Sequence, residues 1–534
     1  MPQRSCQTCN VLPAGQLLLE PAAGLAASLH KRPHQTRAPA SHLTAFTDNM
    51  TIQFGTDGWR AVISDTFTFN NLRLVSQAVA DAVNSSDWLA APHQGHDARK
   101  VLVGFDTRFL SDRYAVEVAR VLAANGLQVL LTHTDVPTPV LSHAVLQQRA
   151  AAGVMVTASH NAPRYNGIKL KAAYGGSALP DQCRAVEVCL NDNENRARGP
   201  NLMDYDQAVA AGRIVRFNPL QPYAEALRSL LDFDQIAAHP GRLHVVADAM
   251  YGSGRGYIKS LLGGSGVEVL EIRGEMNPGF GGVHPEPILK YLGPTASAIA
   301  SGHGDVGLIT DGDADRIGAM DGRGQFVDPH KIMALCLRYL VERKQRSGAV
   351  VKTVSTTRML NRQAQQYQLA LHETPVGFNH IADRMLSEKV LIGGEESGGI
   401  SIHGHIPEGD GIMMGLLLLE MMAAYGAPLH ELVEQLLADF GPALYERADL
   451  RLARPVSRAA LTRELCEQAP QQIGALRMRE VQTLDGVKYV MEDDSWLLIR
   501  ASGTEPVLRV YAEARTEQDL AALLDYGKLV AQRA

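Results

Sequence analysis

Residues 306–316 read Val-Gly-Leu-Ile-Thr-Asp-Gly-Asp-Ala-Asp-Arg, and this stretch guides the interpretation of the whole chain. Its first five residues predict a buried strand, and the next six place three carboxylates at alternate positions. These carboxylates can converge on one hard cation if the loop curls, and oxygen ligands of this kind suit Mg²⁺ or Ca²⁺. An EF-hand is excluded, because its loop needs Gly at the sixth position and Glu at the twelfth, where this chain has Arg and Gly. A solvated acidic turn is the alternative.

A second loop, Thr-Ala-Ser-His-Asn-Ala-Pro over residues 157–163, follows a strand predicted from residue 153. A serine just past a strand end can be presented on a tight loop, but it is a weak nucleophile unless a neighbour or a cation activates it. His160 and Lys169 are the nearby candidates for proton transfer or phosphate neutralisation. An ordinary Ser/Asn turn is the alternative for Ser159.

Three further loops flank predicted strands. Residues 393–399 read Gly-Gly-Glu-Glu-Ser-Gly-Gly and offer carboxylates and a hydroxyl for sugar hydroxyls. Residues 500–506 read Arg-Ala-Ser-Gly-Thr-Glu-Pro and offer an anion nest suited to a phosphate. Residues 54–60 are glycine-rich and end in Arg60, which alone is a weak signal. Ligands favour the carboxyl ends of strands in α/β sheets, so the loops together predict one shared site.

The order of predicted strands and helices indicates several domains. From residue 50 apolar strands alternate with helical patterns, for example a strand over 101–106 and a helix over 112–124 with Ser111 as a candidate N-cap. This alternation predicts three α/β units with mixed, mostly parallel sheets, and the close-spaced strands after residue 487 predict a smaller C-terminal α+β domain. The expected divisions are 1–48, a disordered or transit-like extension, then 50–200, 201–308, 309–441 with the aspartate loop at its start, and 442–534.

The bulk composition is that of an ordinary globular protein. The chain has 534 residues and a net charge of −6, so no global basic field exists for nucleic acid or an anionic membrane. No apolar run approaches the roughly 18 residues of a membrane helix, and residues 412–419 predict a buried helix instead. We expect a cytoplasmic protein, or one of a plastid or other organelle if residues 1–48 are a transit peptide; a misassigned start is the alternative.

From about Thr51 to the C-terminus, these loops in this order resemble the phosphoglucomutase/phosphomannomutase family, the α-D-phosphohexomutases. The resemblance implies three related α/β domains and a smaller fourth domain around a central cleft. It implies a monomer or dimer that binds a small sugar phosphate, and no nucleic acid or membrane. It also implies Mg²⁺ as cofactor and glucose 1,6-bisphosphate as activator.

The resemblance implies a role for each motif residue. The phosphoryl carrier is Ser159, which also contributes to the metal site, and the proposed proton-transfer residues are Arg60, His160 and Lys169. The residues implied to bind Mg²⁺ are Asp311, Asp313 and Asp315. The residues implied to contact the substrate are Arg316, Glu395, Ser397, Arg500, Ser502, Gly503 and Thr504.

The implied reaction is reversible interconversion of hexose 1-phosphate and hexose 6-phosphate through a phosphoserine enzyme and a bisphosphorylated sugar. Asn379 stands in a segment where relatives often carry a Lys, and His380 is a candidate to compensate. The pair Glu395-Glu396 is most like phosphoglucomutases, which favours glucose phosphate, with phosphomannomutase or phosphoglucosamine mutase as alternatives. A metal-dependent phosphatase that uses an Asp nucleophile and a catalytically silent sugar-phosphate sensor are the remaining alternatives.

Overall fold

The computed structural model describes residues 52, 54, 58–85, 88, 96–239, 241–454, 456–501 and 506–533. They lie in one unit of the chain, which spans Thr51–Ala534. The extension predicted over residues 1–48 falls outside the described residues and stays a prediction. The described residues form four sheets, one after another along the chain.

The first sheet belongs to the N-terminal α/β unit. Its strands are β1 (Gly58–Val62), β2 (Asp97–Phe105), β3 (Gln128–Thr132), β4 (Ala150–Val156), β5 (Tyr165–Ala172), β6 (Gly176–Ser177) and β7 (Ile214–Phe217). The helices described with it are α1 (Phe69–Val83), α2 (Ser111–Ala124), α3 (Thr138–Gln147), α4 (Pro180–Asn195) and α5 (Tyr205–Ala210).

This sheet is mixed, as the sequence predicts. Its order is β1-β5-β4-β2-β3-β7, with β6 beside β5. Strands β2, β3, β4 and β7 run parallel, whereas β1, β5 and β6 are antiparallel to their neighbours. Because β7 pairs with β3, the first sheet continues past residue 200, where the sequence placed the end of this unit.

The second sheet contains the aspartate loop. Its strands are β8 (His244–Asp248), β9 (Glu268–Ile272), β10 (Val306–Thr310), β11 (Ile317–Asp321) and β12 (Phe326–Val327), and its helices are α6 (Leu220–Leu230), α7 (Phe233–Ala237), α8 (Tyr257–Leu261) and α9 (Gly293–Ala300). The order is β12-β11-β10-β8-β9. The expected division between residues 308 and 309 cuts through β10, which hydrogen-bonds to both β8 and β11. The aspartate loop therefore belongs to the second unit and not to the start of the third.

The third sheet has the order β14-β13-β15-β16. Its strands are β13 (Ala349–Thr353), β14 (Leu371–Thr374), β15 (Val390–Gly394) and β16 (Ile400–Ile402), and its helices are α10 (Pro329–Glu342), α11 (Met359–Gln366), α12 (Phe378–Ser387), α13 (Gly411–Tyr425) and α14 (Leu429–Phe440). Residues 412–419 lie in α13 and are all buried, as predicted. In the described part of the chain no single helix could cross a membrane by length and composition; α13 and α14 pass that test only as a pair bent by 83°.

The fourth sheet is fully antiparallel, and its strand order is β17-β22-β21-β20-β19-β18. They are β17 (Leu444–Arg451), β18 (Gln472–Ile473), β19 (Leu476–Gln482), β20 (Val487–Met491), β21 (Trp496–Ala501) and β22 (Val507–Ala514), with helices α15 (Arg458–Glu467) and α16 (Glu517–Arg533). Three α/β units and a smaller α+β unit are therefore present, which confirms the predicted fold class.

The first three units are held together by apolar and by charged contacts. The second and third share one hydrophobic core, in which Gly415 of α13 approaches Leu308 of β10 so closely that a Cβ would lie 3.2 Å from its Cδ1. The first and third are joined by a buried ion pair, in which Lys171 Nζ lies 2.5 Å from Glu408 Oε2 and the side chains are 0% and 4% exposed. Because these contacts restrain the units, the loops between them face one another in a defined way.

The substitution Glu408→Gln tests this ion pair. Removing one partner of a buried pair leaves the other charge uncompensated, so we expect the free energy of unfolding to fall by about 3–5 kcal/mol. Urea denaturation followed by circular dichroism measures this change. The matched control is Glu434→Gln, which breaks an exposed pair with Arg323 (2.7 Å) and should cost about 1 kcal/mol or less. Equal losses in the two variants would contradict a role for the Lys171 pair.

Candidate active site

Ser159 lies on the loop that follows β4. Its φ of 53° puts a non-glycine residue in the left-handed region, and its backbone N–H donates to Thr157 Oγ1 at 2.8 Å. The hydroxyl donates to Asp311 Oδ2 at 3.1 Å and lies 3.4 Å from His160 Nδ1. Ser159 is only 1% exposed, while His160 and Asn161 beside it line a cleft. The loop therefore points the hydroxyl at the aspartate cluster and away from bulk water.

The three aspartates of the β10–β11 loop converge as predicted. One oxygen from each of Asp311, Asp313 and Asp315 lies within 4.8 Å of the others. Ala314 has a φ of 56°, which curls the loop, and Gly312 has no room for a Cβ, which would lie 2.5 Å from the carbonyl oxygen of Ser159.

The donor set of this cluster fits a hard cation. Within the described residues, Asp313 Oδ1 and Asp315 Oδ1 are buried and have no hydrogen-bond partner. Buried carboxylate oxygens are rarely left without a partner, and all-oxygen sites of this kind suit Mg²⁺. The residues therefore fit the Mg²⁺ that the resemblance implies.

The charges in this loop are only partly balanced by protein groups. Lys169 Nζ lies 2.8 Å from Asp313 Oδ2 and 2.5 Å from Asp315 Oδ2. Burial opposes ionisation of Asp313, yet Lys169 holds its pKa below the usual value. Burial, and then the neighbouring carboxylates of Asp315 and Asp313, raise the pKa of Asp311 well above its usual value. Asp311 is thus the member that needs further positive charge in order to stay ionised.

The three predicted proton-transfer residues meet at this end of the cleft. Strands β1 and β5 pair so that Arg60 lies opposite Gly167, two residues from Lys169. The guanidinium of Arg60 donates to Asn161 Oδ1 at 3.2 Å, which ties it to the serine loop. Burial, and then the charge of Arg316, lower the pKa of His160 well below its usual range, so its imidazole is neutral near pH 7.

A cleft with a volume of about 870 Å³ runs between the four units. Its lining includes Arg60, His160 and Lys169 from the first unit and Asp315 and Arg316 from the second. The third unit contributes residues of the loop over 393–399, named the sugar loop after the hydroxyl groups that it is expected to bind, and the fourth unit contributes a group of arginines.

The sugar loop follows β15 and places two carboxylates side by side. Glu395 accepts hydrogen bonds from the backbone N–H of Gly377 at 3.0 Å and from Ser397 Oγ at 3.4 Å. Burial, and then the adjacent Glu396, raise the pKa of Glu395 to about 7. Glu396 is fixed by the hydroxyl of Ser355, which donates to it at 2.6 Å. Each carboxylate therefore has a defined direction in the cleft wall.

Arginines on one face of the fourth sheet form another part of the cleft wall. Arg500 on β21 lies directly opposite Arg509 on β22, and Arg447 on β17 lies opposite Tyr511. Residues opposite one another in a sheet, and residues two apart on a strand, share a face, so these side chains project together. All four line the cleft, and Arg509 Nε is buried without a hydrogen-bond partner in the described residues. This face can hold an anion.

Three predicted phosphate-binding residues, Ser502, Gly503 and Thr504, lie outside the described residues and stay predictions. The sequence reasoning missed Arg447, Arg458 and Arg509, which also line the cleft. The alternation on β22 places Arg509 and Tyr511 on one face, but no sequence signal shows that the distant strand β17 joins that face.

Arg108 was also missed. It is buried, and its guanidinium donates to the carbonyl of Ser159 at 2.5 Å. The usable signal was its position, because Asp106-Thr107-Arg108 follows β2 just as the serine loop follows the neighbouring β4.

Comparison with known families matches every unit of the chain. The four domain models of phosphoglucomutase/phosphomannomutase match in order: α/β/α domain I over residues 51–197, domain II over 221–324, domain III over 328–440 and the C-terminal domain over 459–526.

Individual relatives agree over nearly their whole length. A phosphoglucosamine mutase of Frankia alni is 32% identical over 480 residues, which are 88% of this chain and 95% of the relative. A phosphoglucomutase/phosphomannomutase of Thermococcus kodakarensis is 28% identical over 89% of this chain and 97% of its own. A Thermus thermophilus protein whose crystal structure carries the name phosphomannomutase is 34% identical, with a TM-score of 0.77 over 90% of this chain and 99% of its own. The chain thus belongs to the phosphoglucomutase/phosphomannomutase family of α-D-phosphohexomutases and is an isomerase of that class.

Proposed function

We propose that the protein interconverts hexose 1-phosphate and hexose 6-phosphate through a phosphoserine at position 159 and a bisphosphorylated sugar. The observation that carries this proposal is the 3.1 Å contact between Ser159 Oγ and Asp311 Oδ2. It joins the serine hydroxyl to a cluster of carboxylates that could hold a metal ion, beside a cleft whose wall also carries arginines of the fourth unit.

The reaction has two half-steps of the same kind. In the first, the bond between phosphorus and Ser159 Oγ breaks, a bond from phosphorus to the free sugar hydroxyl forms, and the proton of that hydroxyl is taken up by the enzyme. The bisphosphorylated sugar then turns over in the cleft. In the second, its other phosphate passes to Ser159 Oγ, and the new sugar hydroxyl receives a proton. We assign the proton transfers to Arg60, His160 and Lys169, and the neutral imidazole of His160 suits an acceptor.

Bound Mg²⁺, held by Asp311, Asp313 and Asp315, would neutralise charge on the transferring group. Lys169 orients the carboxylates of Asp313 and Asp315. Thr138 of α3 also orients Asp313, because its hydroxyl donates to Asp313 Oδ2 at 2.6 Å.

The substrate's non-reacting phosphate is assigned to the arginine face. Arg500 and Arg509 supply the charge, and the loop with Ser502, Gly503 and Thr504 supplies hydroxyls and backbone N–H groups. Both phosphates of the intermediate must occupy this place in turn, and an arginine cluster accepts either because it recognises only the phosphate.

Glucose phosphate is the proposed substrate, with glucose 1,6-bisphosphate as activator. Glu395 and Ser397 are assigned to the ring hydroxyls, because a carboxylate with defined direction accepts from adjacent hydroxyls. A glucosamine phosphate is the second candidate, favoured by the relatives named phosphoglucosamine mutase and by the pair Glu395–Glu396, which offers a counter-charge to an ammonium. Mannose phosphate is the third.

Ser159→Ala should abolish mutase activity and leave the fold intact, because it removes the phosphoryl acceptor and no buried apolar contact. A coupled assay with glucose 1-phosphate and intact-protein mass spectrometry measure turnover and phosphate incorporation. Ser229→Ala, at an exposed helical serine, is the matched control and should behave as wild type. Substantial turnover in the Ser159 variant would refute the phosphoserine assignment.

Asp313→Asn should raise the Mg²⁺ concentration needed for half-maximal activity, and it should lower the maximal rate as well. We expect each quantity to change by about tenfold or more, since the substitution removes one charged ligand. Titration of activity with MgCl₂ after treatment with EDTA measures both. Asp305→Asn, at an exposed aspartate, is the control. An unchanged Mg²⁺ profile for the Asp313 variant would place the metal elsewhere.

A substrate panel tests the sugar. Purified protein with Mg²⁺ and a trace of glucose 1,6-bisphosphate is assayed on glucose 1-phosphate, mannose 1-phosphate and glucosamine 1-phosphate side by side. We expect the highest kcat/KM for glucose 1-phosphate. A higher kcat/KM for another sugar would leave the mechanism unchanged and reassign the substrate. Release of inorganic phosphate would favour a phosphatase. Inactivity on all three sugars would favour a sugar-phosphate sensor.

A further inference from the structure

The side chain of Arg108 binds the backbone of the serine loop, which comprises residues 157–165. Its side chain is 0% exposed, and Arg108 is not itself among the residues that line the cleft. Its guanidinium donates to four carbonyl oxygens: Ser159 at 2.5 Å, Asn161 at 2.7 Å, Ala162 at 2.9 Å and Tyr165 at 3.0 Å. One cation therefore fixes the course of the chain over residues 159–165.

Asp106 provides a second connection between Arg108 and the same loop. This buried carboxylate accepts from Arg108 Nε at 3.1 Å and from the hydroxyl of Thr157 at 2.6 Å. The oxygen of Thr157 in turn accepts from the backbone N–H of Ser159. The N–H and the carbonyl of Ser159 are thus both held by side chains, one through Thr157 and one by Arg108.

The position held in this way tolerates little displacement. Ser159 is left-handed at φ 53°, a conformation that a serine keeps only when its surroundings impose it. Its carbonyl faces Gly312, where even a Cβ would come within 2.5 Å. A shift of this loop would therefore change the 3.1 Å contact between Ser159 Oγ and Asp311 Oδ2.

We propose that Arg108, together with Thr157, is a positioning residue for phosphoryl transfer. It holds Ser159 so that Oγ faces the aspartate cluster. This inference rests on the proposed function of Ser159 as the phosphoryl carrier. Arg108 does not contact substrate in this role, so its loss affects the rate of transfer and not the binding of sugar phosphate.

The second unit contains a matched control for a merely structural role. Arg273 is 8% exposed and pairs with buried Asp248, with Nε at 2.8 Å from Oδ1 and Nη1 donating to the carbonyl of Tyr291 at 3.2 Å. It is a similar buried Arg–Asp pair that also binds a backbone carbonyl, but it does not touch the serine loop.

The experiment compares wild type, Arg108→Lys, Thr157→Val and Arg273→Lys. Lysine keeps the charge at position 108 but cannot bind four carbonyls from one planar group. For each protein kcat, KM, thermal unfolding and the rate of phosphate incorporation into Ser159 from glucose 1,6-bisphosphate are measured, the last by intact-protein mass spectrometry and peptide mapping.

We expect Arg108→Lys to lower kcat and the incorporation rate about 100-fold with KM nearly unchanged, since a displacement of about 1 Å can cost this much. Thr157→Val should show a smaller fall of the same kind, and Arg273→Lys should keep wild-type kcat. A kcat for Arg108→Lys equal to that of Arg273→Lys, or a loss confined to KM, would overturn the inference.

If Arg108→Lys does not fold, the Thr157→Val variant decides the question. A lowered kcat at constant KM supports the inference, and a wild-type kcat overturns it. Failure of wild type to take phosphate at Ser159 would instead refute the proposed function, and the inference with it.

Discussion

Three carboxylates packed into one buried loop need positive charge close by, and only part of it comes from Arg316 in the same loop. Lys169 reaches Asp313 and Asp315 from β5 of the first unit, although the loop itself belongs to the second. The same loop also binds the backbone of its neighbours, since the N–H of Thr138 donates to Asp313 O at 2.9 Å and that of Gly411 to Ala314 O at 3.0 Å. An acidic cluster that would be unstable alone thus becomes the point where three units meet.

The fourth unit is attached in a different way. Its apolar core is separate from those of the other units, and a small mixed interface joins it to the third. There Lys488 is buried, donates to the carbonyl of Val354 at 2.6 Å and lies 3.3 Å from Glu373 Oε1. Burial, and then the charge of Lys352, lower the pKa of Lys488 to about 7. The arginine face is therefore carried by a unit that a small apolar cluster and buried charged groups join to the third unit, in contrast to the continuous core shared by the second and third units.

The sequence predicted what local patterns determine and missed what pairing determines. The aspartate loop, the serine loop and the sugar loop were found because each follows a short apolar strand and has a distinctive composition. The division at residue 308 was wrong because sequence spacing does not show that β10 and β11 are hydrogen-bonded neighbours. Ser111 was expected to cap α2, yet its hydroxyl donates to Asp106 instead, and a left-handed Leu110 precedes the helix. Arg447 and Arg108 were missed because their importance comes from contacts with residues distant in sequence or from backbone atoms.

The distribution of charge along the cleft limits where sugar recognition can occur. In the proposed reaction each phosphate of the intermediate visits both the aspartate cluster and the arginine face, so each of these sites must accept either phosphate. Neither site can then distinguish the sugar carbon to which a phosphate is attached. We therefore assign the discrimination between hexoses to the sugar loop, where Glu395 is oriented by Gly377 and Ser397 and where Glu396 is fixed by Ser355. Because these contacts are separate from those of Ser159, sugar preference can change in this loop while the machinery of phosphoryl transfer stays the same.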